Sequence, residues 1–371
     1  MTALLSTWTL LTTAAGAVAP AAWSAPHPRP GPGRVWVHGA SAGEVKAARS
    51  AWDAVGRPGD WVFSTGTHAG LTAGADARAP RDVPRRMREC LETIAPEALL
   101  LIESELWPNL LAVAADRGVP VGVLGARMSP RSFERWLRSP RTARALLRQV
   151  RAWAAASEAD AARLVRLGAP ADRVRATGWL KAPSPPPPPG PGEHELLQQL
   201  EGDGPTVVLG SVHPGEVSLA VQQLADGELA PDRSRWVIVP RHQGAHAALR
   251  AEAARHLVVG RWVLDPRFGR LTAWYGLADA ALVGGGATGR GTHDVIEPLA
   301  ARLRPMFWRR RGDPAEVGGA LLASGLGDDL DAGRGQGAKA DAAAVSGFFE
   351  RRDGRRAGLE WLATCGVPVL P

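Results

Sequence analysis

The sequence predicts an α/β protein made of two Rossmann-like halves. Short apolar runs alternate with helical stretches along most of the chain, and one proline-rich break, "KAPSPPPPPGPGEHE", falls between two such series. Alternating strand and helix periods mark parallel βαβ units. A third observation bears on function. The less ordinary polar residues gather where the apolar runs end, the edge at which open parallel sheets bind ligands, so the site is expected in a cleft at the carboxyl ends of the strands.

In the first half "RVWVHG" gives way to "SAGEVKAARSAWDAV" and "DWVFSTG" to "THAGLTAGADA". "EALLLIES", "VPVGVLG" and "VRAWAAAS" lead in the same way into "ELWPNLLAVAADRG", "ARMSPRSFERWLRS" and "EADAARLVRLG". The run Pro185 to Pro189 has no backbone donors and suits only polyproline II. It makes 182–192 a linker between a domain at 34–181 and another at 193–371. The second series reads "TVVLGSVHPGEVSLAVQQL", "RWVIVPRHQGAHAALRAEAARH", "LVVGRW" and "DAALVGGGATGRGTHDVIEPLAARLRP". Beyond it, "GLGDDLDAGRGQGAKADAAAVS" is weak in pattern and reads as a loop. The last helix, around "GFFERRDGRRAGLEWLATCG", should pack back onto one half.

Residues 1–33 stand apart as an apolar segment and spacer. Thr2 to Pro26 carries no charge and has about the length that crosses a bilayer. It also holds several threonines, a glycine and Pro20, and no basic residue stands ahead of it as in a secretory signal. The reading is a membrane anchor or interfacial helix, with a signal peptide and a poorly ordered or mis-started leader as alternatives.

The formal net charge of +7 comes largely from arginine and favours anionic partners such as nucleotides, phosphorylated lipids, membrane surfaces or nucleic acid. A GC-rich coding sequence also inflates arginine, so the charge alone does not choose among them. Cys90 and Cys365 lie far apart without metal-ligand spacing, which argues against a disulfide framework and a zinc site.

Glu44 follows the first strand, behind Gly39 and Gly43, where a helix opens. Glycines there let a substrate approach the backbone, and a partly buried carboxyl is a candidate general base. A first-turn glutamate favoured by the helix dipole is the plainer alternative. "LLLIESELWPNLL" repeats the pattern with Glu103 closing a strand and Glu105 beside it, where capping again competes with chemistry. In the second half Ser211, His213 and Glu216 end one strand, and Arg241 and His242 follow Pro240. A third strand leads into Gly284, Gly285, Gly286, His293, Asp294 and Glu297. Glycine amides and an arginine fork suit phosphate, and a carboxylate suits ribose hydroxyls, so together these describe a nucleotide site. A Walker A pattern and a strict G-x-G-x-x-G are absent, which weakens ATPase and dehydrogenase readings. With no Asp-x-Asp or histidine pair spaced for a metal, metal-independent chemistry is expected.

Taken together, "WVHGASAGEV", "IESELWPNLL", "GARMSPRSFERW", "ASEADAARLVRLGAPADRVRATGWLKA", "GSVHPGE", "VPRH" and "THDVIEP" resemble, in order and spacing, the 3-deoxy-D-manno-octulosonic acid (Kdo) transferases. The resemblance runs from Arg34 to about Leu326. It implies a GT-B fold, two Rossmann-like domains facing across a cleft, with the acceptor held by the N-terminal domain and the nucleotide sugar by the C-terminal one. It also implies inverting transfer of Kdo from CMP-Kdo to a lipid A precursor in lipopolysaccharide synthesis, at the cytoplasmic face of the inner membrane. The implied partners are CMP-Kdo, the lipid and the membrane surface, with no nucleic acid and no cofactor.

Carried over residue by residue, Glu44 becomes the catalytic base and Glu103 its companion. Glu105, Asn109, Arg127, Ser129 and Lys181 fall on the acceptor side. Ser211, His213, Arg241, His242, Gly285, Gly286, Asp294 and Glu297 fall on the CMP side. The chain departs from the family pattern at Trp179, Val212, Thr292 and Asp294, and in the "WRRRGDP" that follows "RPMF". A GT-B transferase for another nucleotide sugar, or a silent membrane-associated relative that binds lipid, would share the fold.

Overall fold

A computed structural model of the chain describes residues 34–57, 59–103, 105–181, 185–267, 269–289, 292–309, 317–333, 335 and 337–370. The expected N-terminal anchor lies outside them. Among the described residues no helix is long and apolar enough to cross a membrane. Contacts divide the chain into two units at residue 182 and again at residue 351.

The first unit contains β1 (Arg34–His38), β2 (Asp60–Thr65), β3 (Ala77–Arg78), β4 (Ala98–Ile102), β5 (Val121–Ala126), β6 (Ala152–Ala155) and β7 (Val174–Ala176). They pair in parallel in the order β3-β2-β1-β4-β5-β6-β7. Such a sheet is covered on both faces, which is why its strands are apolar without a polar side. Trp36, Leu99, Leu101, Val121, Val123 and Trp153 enter one core. Their alternate neighbours Val35, Val37, Leu100, Ile102 and Leu124 enter the other. Helix α1 (Ala42–Ala54) follows β1, α2 (Pro108–Asp116) follows β4, α3 (Pro130–Leu137) follows β5 and α4 (Glu158–Leu167) follows β6. Proline begins α2 and α3, where its missing donor would have had no partner.

The second unit repeats the plan with β8 (Thr206–Val212), β9 (Arg235–Pro240), β10 (Trp262–Leu264), β11 (Ala280–Val283), β12 (Pro305–Phe307) and β13 (Asp328–Asp329). These too are parallel, in the order β10-β9-β8-β11-β12-β13. Helix α5 (Glu216–Gln223) follows β8, α6 (His246–His256) follows β9 and α7 (Ile296–Ala300) follows β11. The stretch "LVVGRW" is not the strand expected. Pairing with β9 begins only at Trp262, and Val258 and Val259 are exposed. The segment read as a loop contains β13 and leads into helix α8 (Ala342–Glu350). Buried Asp328 stabilises it by pairing with Arg304 and accepting the Gly337 amide at 3.1 Å.

Residues from Arg352 onward belong to the first unit, not to a C-terminal domain running from 193 to 371. Helix α9 (Arg355–Thr364) covers the first sheet, burying Leu359 and Leu362 with Val367 and Val369 against Leu100, Leu124 and Ala154. The first sheet accommodates it with Gly122, where a Cβ would stand 3.2 Å from Leu362 and Val367. Trp179 anchors the returning chain through its backbone. Its N–H donates to the Arg352 carbonyl at 2.6 Å, and its own carbonyl accepts the Gly354 amide at 2.9 Å. Gly178 beside it has φ of 112°, and a Cβ there would fall 2.5 Å from the Arg352 oxygen. Leu362→Ala should cost about 2–5 kcal/mol, seen as an earlier urea midpoint for the tryptophan-rich first unit.

Candidate functional site

In the first sheet β1 lies between β2 and β4, so connections leave it in opposite directions and the strand order reverses there. Crevices open at such points, beyond the carboxyl ends of the strands. The residues that follow β1 and β4 are those that carry Glu44, Glu103 and Glu105.

Ser41 caps α1, its hydroxyl accepting the Glu44 amide at 3.3 Å. Glu44 reaches back, accepting the Ala40 amide at 2.6 Å and the Ser41 hydroxyl at 3.1 Å. That is the reciprocal geometry of a capping box, with the carboxylate bonded one residue before the cap. A Cβ on Gly39 would lie 3.0 Å from the Glu44 Cβ, so this glycine makes room for the glutamate side chain, not for a ligand as expected. Burial, and then the charges of Glu103 and Glu105, push the Glu44 carboxyl up to about 7, against the pull of Ala40 and Ser41. Capping geometry and a raised proton affinity are therefore both present in one side chain.

Glu103 donates its amide to the Leu124 carbonyl and sits at φ of 58°, a left-handed conformation that a side chain adopts at a cost. Glu105 accepts the Trp107 indole N–H at 2.8 Å. Burial raises its carboxyl above the ordinary value, the Trp107 hydrogen bond opposes the rise and Glu103 adds to it. His38, fully buried at the end of β1, meets the Trp107 ring edge-on with centroids 4.4 Å apart. Burial lowers its pKa to about 4, so it is neutral near pH 7.

The acceptor-side residues divide. Arg127 and Ser129 are exposed and flank Met128, whose amide donates to Asp160 at 2.6 Å and whose carbonyl accepts from Arg163 at 2.9 Å. An acid and a base from α4 thus fix the loop on both sides of Met128, between Arg127 and Ser129. Ser129 also caps α3, accepting the Ser132 amide. Lys181 is half-buried at the end of the described first segment. Asn109 does not fit the acceptor-side reading. It is 4% exposed, its side-chain amide donates to the Asp82 carbonyl at 2.7 Å, and Asp82 in turn caps α2 by accepting the Asn109 and Leu110 amides.

The second unit reverses strand order at β8, between β9 and β11. Ser211 lies where the β8–β9 register shifts and, like Glu103, is left-handed, with φ of 54°. His213 Nε2 lies 3.0 Å from His293 Nε2, and the His242 ring is 5.7 Å from that of His213. Burial, then Arg241, His213 and His242, lower the His293 pKa to about 4. Arg241 and His242 are exposed, and the Asp294 carboxylate accepts the Ile296 amide at 2.9 Å as α7 begins. Glu297 is half-buried on α7.

The glycine run does not offer itself to phosphate in the way expected. The Gly285 amide is held by both oxygens of the fully buried Glu216 at 2.9 Å, and Gly284 donates to Gly210. A Cβ on Gly286 would fall 2.1 Å from the Trp308 carbonyl, so this glycine serves close packing of the backbone. Glu216 also accepts the His213 amide and the Thr288 hydroxyl, clipping together the loops that follow β8 and β11. Sequence reasoning placed Glu216 among the polar strand-end residues but missed this role; its position just inside α5 was the available signal. Ser41, Asp82 and Asp160 were also missed, although Ser41 and Glu44 have capping-box spacing. Among the described residues no group of three or more His, Cys, Asp or Glu is arranged to hold a metal ion.

A carboxyl raised from 4.5 to about 7 favours its neutral form, so Glu44 opposes folding increasingly as pH rises through that window. Glu44→Gln should therefore raise the melting temperature relative to wild type at about pH 8 and not at about pH 4, a difference measurable by calorimetry. Glu216→Ala, which strands several buried amides, should lower stability at every pH by about 2 kcal/mol or more in urea titrations.

Comparison with known proteins bears on the family and the fold. Residues 16–183 match the N-terminal glycosyltransferase family described as 3-deoxy-D-manno-octulosonic-acid transferase (kdotransferase). The 3-deoxy-D-manno-octulosonic acid transferase of Bordetella pertussis is 32% identical over 324 residues, 77% of this chain and 72% of that protein. The Haemophilus influenzae protein of the same description is 24% identical over 299 residues, 74% of this chain and 70% of its own length. Among solved structures, the UDP-GlcNAc 2-epimerase of Methanocaldococcus jannaschii superposes with a TM-score of 0.55 at 11% identity, covering 89% of this chain and 99% of that one. The Neisseria meningitidis enzyme bound to UDP-GlcNAc gives 0.55 at 12% identity, covering 91% and 96%. The structural likeness bears on the fold alone, which is of GT-B type. On the sequence relationship, the chain belongs to the 3-deoxy-D-manno-octulosonic-acid transferase family and is a glycosyltransferase.

Proposed function

We propose that the chain is an inverting transferase that moves Kdo from CMP-Kdo to a lipid A precursor in lipopolysaccharide synthesis, at the cytoplasmic face of the inner membrane. The observation that carries the reading is Glu44. Its carboxyl, at the reversal point of the first sheet and raised to about 7, is matched to taking a proton from a hydroxyl near neutral pH. The Ala40 amide and Ser41 hold the carboxylate in place before the reaction begins.

In this mechanism Glu44 removes the proton of the acceptor hydroxyl as its oxygen attacks the anomeric carbon of Kdo. The bond from that carbon to the phosphate oxygen breaks on the opposite side, and CMP departs with the electron pair. Glu103 keeps the base carboxyl raised, while Arg127, Ser129 and Lys181 are the groups for the anionic lipid. On the donor side Ser211, His213, Arg241 and His242 receive the phosphate, and Asp294 and Glu297 lie where ribose hydroxyls would need acceptors. The Arg241 guanidinium makes no ion pair among the described residues, so it is available to the charge that builds on the leaving phosphate. No metal or further cofactor enters this reading.

The test is transfer from CMP-Kdo, generated in situ, to a tetraacylated lipid A precursor, with the product weighed by mass spectrometry. Wild type should form product with a rate constant that climbs with pH and levels off above about 7, because the base must be ionised. A folded Glu44→Ala should lose about two to four orders of magnitude. Arg241→Ala should lose about a hundredfold through the leaving group. Wild-type turnover by Glu44→Ala would remove Glu44 from the chemistry. A wild type that forms no product while CMP still raises its melting temperature would point to another acceptor, and indifference to CMP would overturn the donor.

A further inference from the structure

The geometry points to Trp107 as a positioning residue, braced by the edge of His38 and holding Glu105 through its indole N–H, that sets how closely Glu105 crowds Glu44. The inference rests on Glu44 being the base of the proposed transfer and adds a residue that acts on it through Glu105.

The support begins in the core. Trp36 Nε1 donates to the Ser64 hydroxyl at 2.8 Å, and His38 Nδ1 lies 2.9 Å from the same oxygen. With the imidazole oriented by Ser64, its Nε2 is buried without a hydrogen-bond partner, and the Trp107 ring stands 4.4 Å from the imidazole at 66°. An edge-on aromatic contact of this kind fixes a ring more tightly than burial alone. Trp107 passes that order on, because its single donor has one orientation once the ring is fixed, and that orientation ends on Glu105 at 2.8 Å. A half-buried indole N–H needs an acceptor, and here that acceptor is a carboxylate whose charge acts on the base.

The charges around Glu44 define the consequence. The charges of Glu103 and Glu105 act on it, the Ala40 amide and the Ser41 hydroxyl bond to it, and the neutral His38 adds no charge. The Trp107 hydrogen bond favours the ionised form of Glu105. Removing that donor raises the Glu105 carboxyl further and so weakens the negative charge that Glu105 sets against Glu44. Glu44 then loses a repelling neighbour and ionises at lower pH.

Infrared difference spectroscopy across pH tests this on the whole protein without substrate, by following the carbonyl stretch of neutral carboxyls. The wild type should show a carboxyl titrating near 7 that Glu44→Gln abolishes. Trp107→Phe, which keeps a ring against His38, should move that titration down by roughly half a unit to one unit. Glu105→Gln should move it at least as far, and the double variant no further than Glu105→Gln alone. The pH at which kcat/KM levels off should follow the same shifts, whereas damaged packing would lower kcat and leave it in place. An unmoved Glu44 titration in Trp107→Phe overturns the inference, whether or not Glu105→Gln shifts it. Full transfer by Glu44→Gln is a different failure, that of the proposed reaction, and leaves the titration result standing.

Discussion

Parallel pairing on both sides of β1 and of β8 governs the rest of the molecule. It fixes every strand to hand over to its helix at the same edge of the sheet, and the reversal of strand order at these two strands parts the connections there. A sheet buried on both faces has few places for a polar side chain, and one that it does hold, Ser64, is partnered by the Trp36 indole. The last residues of the strands and those just past them are the first positions released from that demand, so His38, Glu44, Glu103 and Glu105 collect at one such edge and Ser211, His213 and His293 at the other. Each edge also carries a left-handed residue that is not glycine, Glu103 in one and Ser211 in the other. Such conformations persist only where their surroundings enforce them.

Acidic side chains bonded to backbone amides fix the loops at these edges. Glu216 clips the loops after β8 and β11, Glu252 accepts the Gly215 and Ser218 amides at 2.8 Å, Asp160 holds Met128 and Asp82 caps α2. A carboxylate has enough lone pairs to serve two or three donors at once, and the low dielectric around it strengthens each bond. Glu44 belongs to the same group and differs in its neighbours. Its burial, and then the charges of two further carboxyls, outweigh the hydrogen bonds that position it, so its proton affinity stays above the ordinary value.

The βα alternation was legible because periodicity is a local property of the chain, and the three glutamates of the first unit could be singled out because a carboxylate at the end of an aliphatic strand is conspicuous. What the sequence hid were partnerships formed over distance. Gly285 looked free for phosphate because Glu216, its amide acceptor, is 69 residues away, and Asn109 looked free because Asp82 is 27 residues away. The apolar face of α9 would suit either sheet. Its assignment rests on Gly122 in β5 and on Gly178 ahead of Trp179, small residues whose meaning appears only when the tail lies against them.

That tail has a consequence for how the protein is made. Because α9 completes the first unit, the second unit is in effect an insertion, and the polypeptide passes from one body to the other twice. During synthesis the second unit has all of its sheet while one face of the first still lacks its cover of Leu359, Leu362, Val367 and Val369. A nascent chain exposes that apolar face until residues past Arg352 emerge, so the body begun first is closed last.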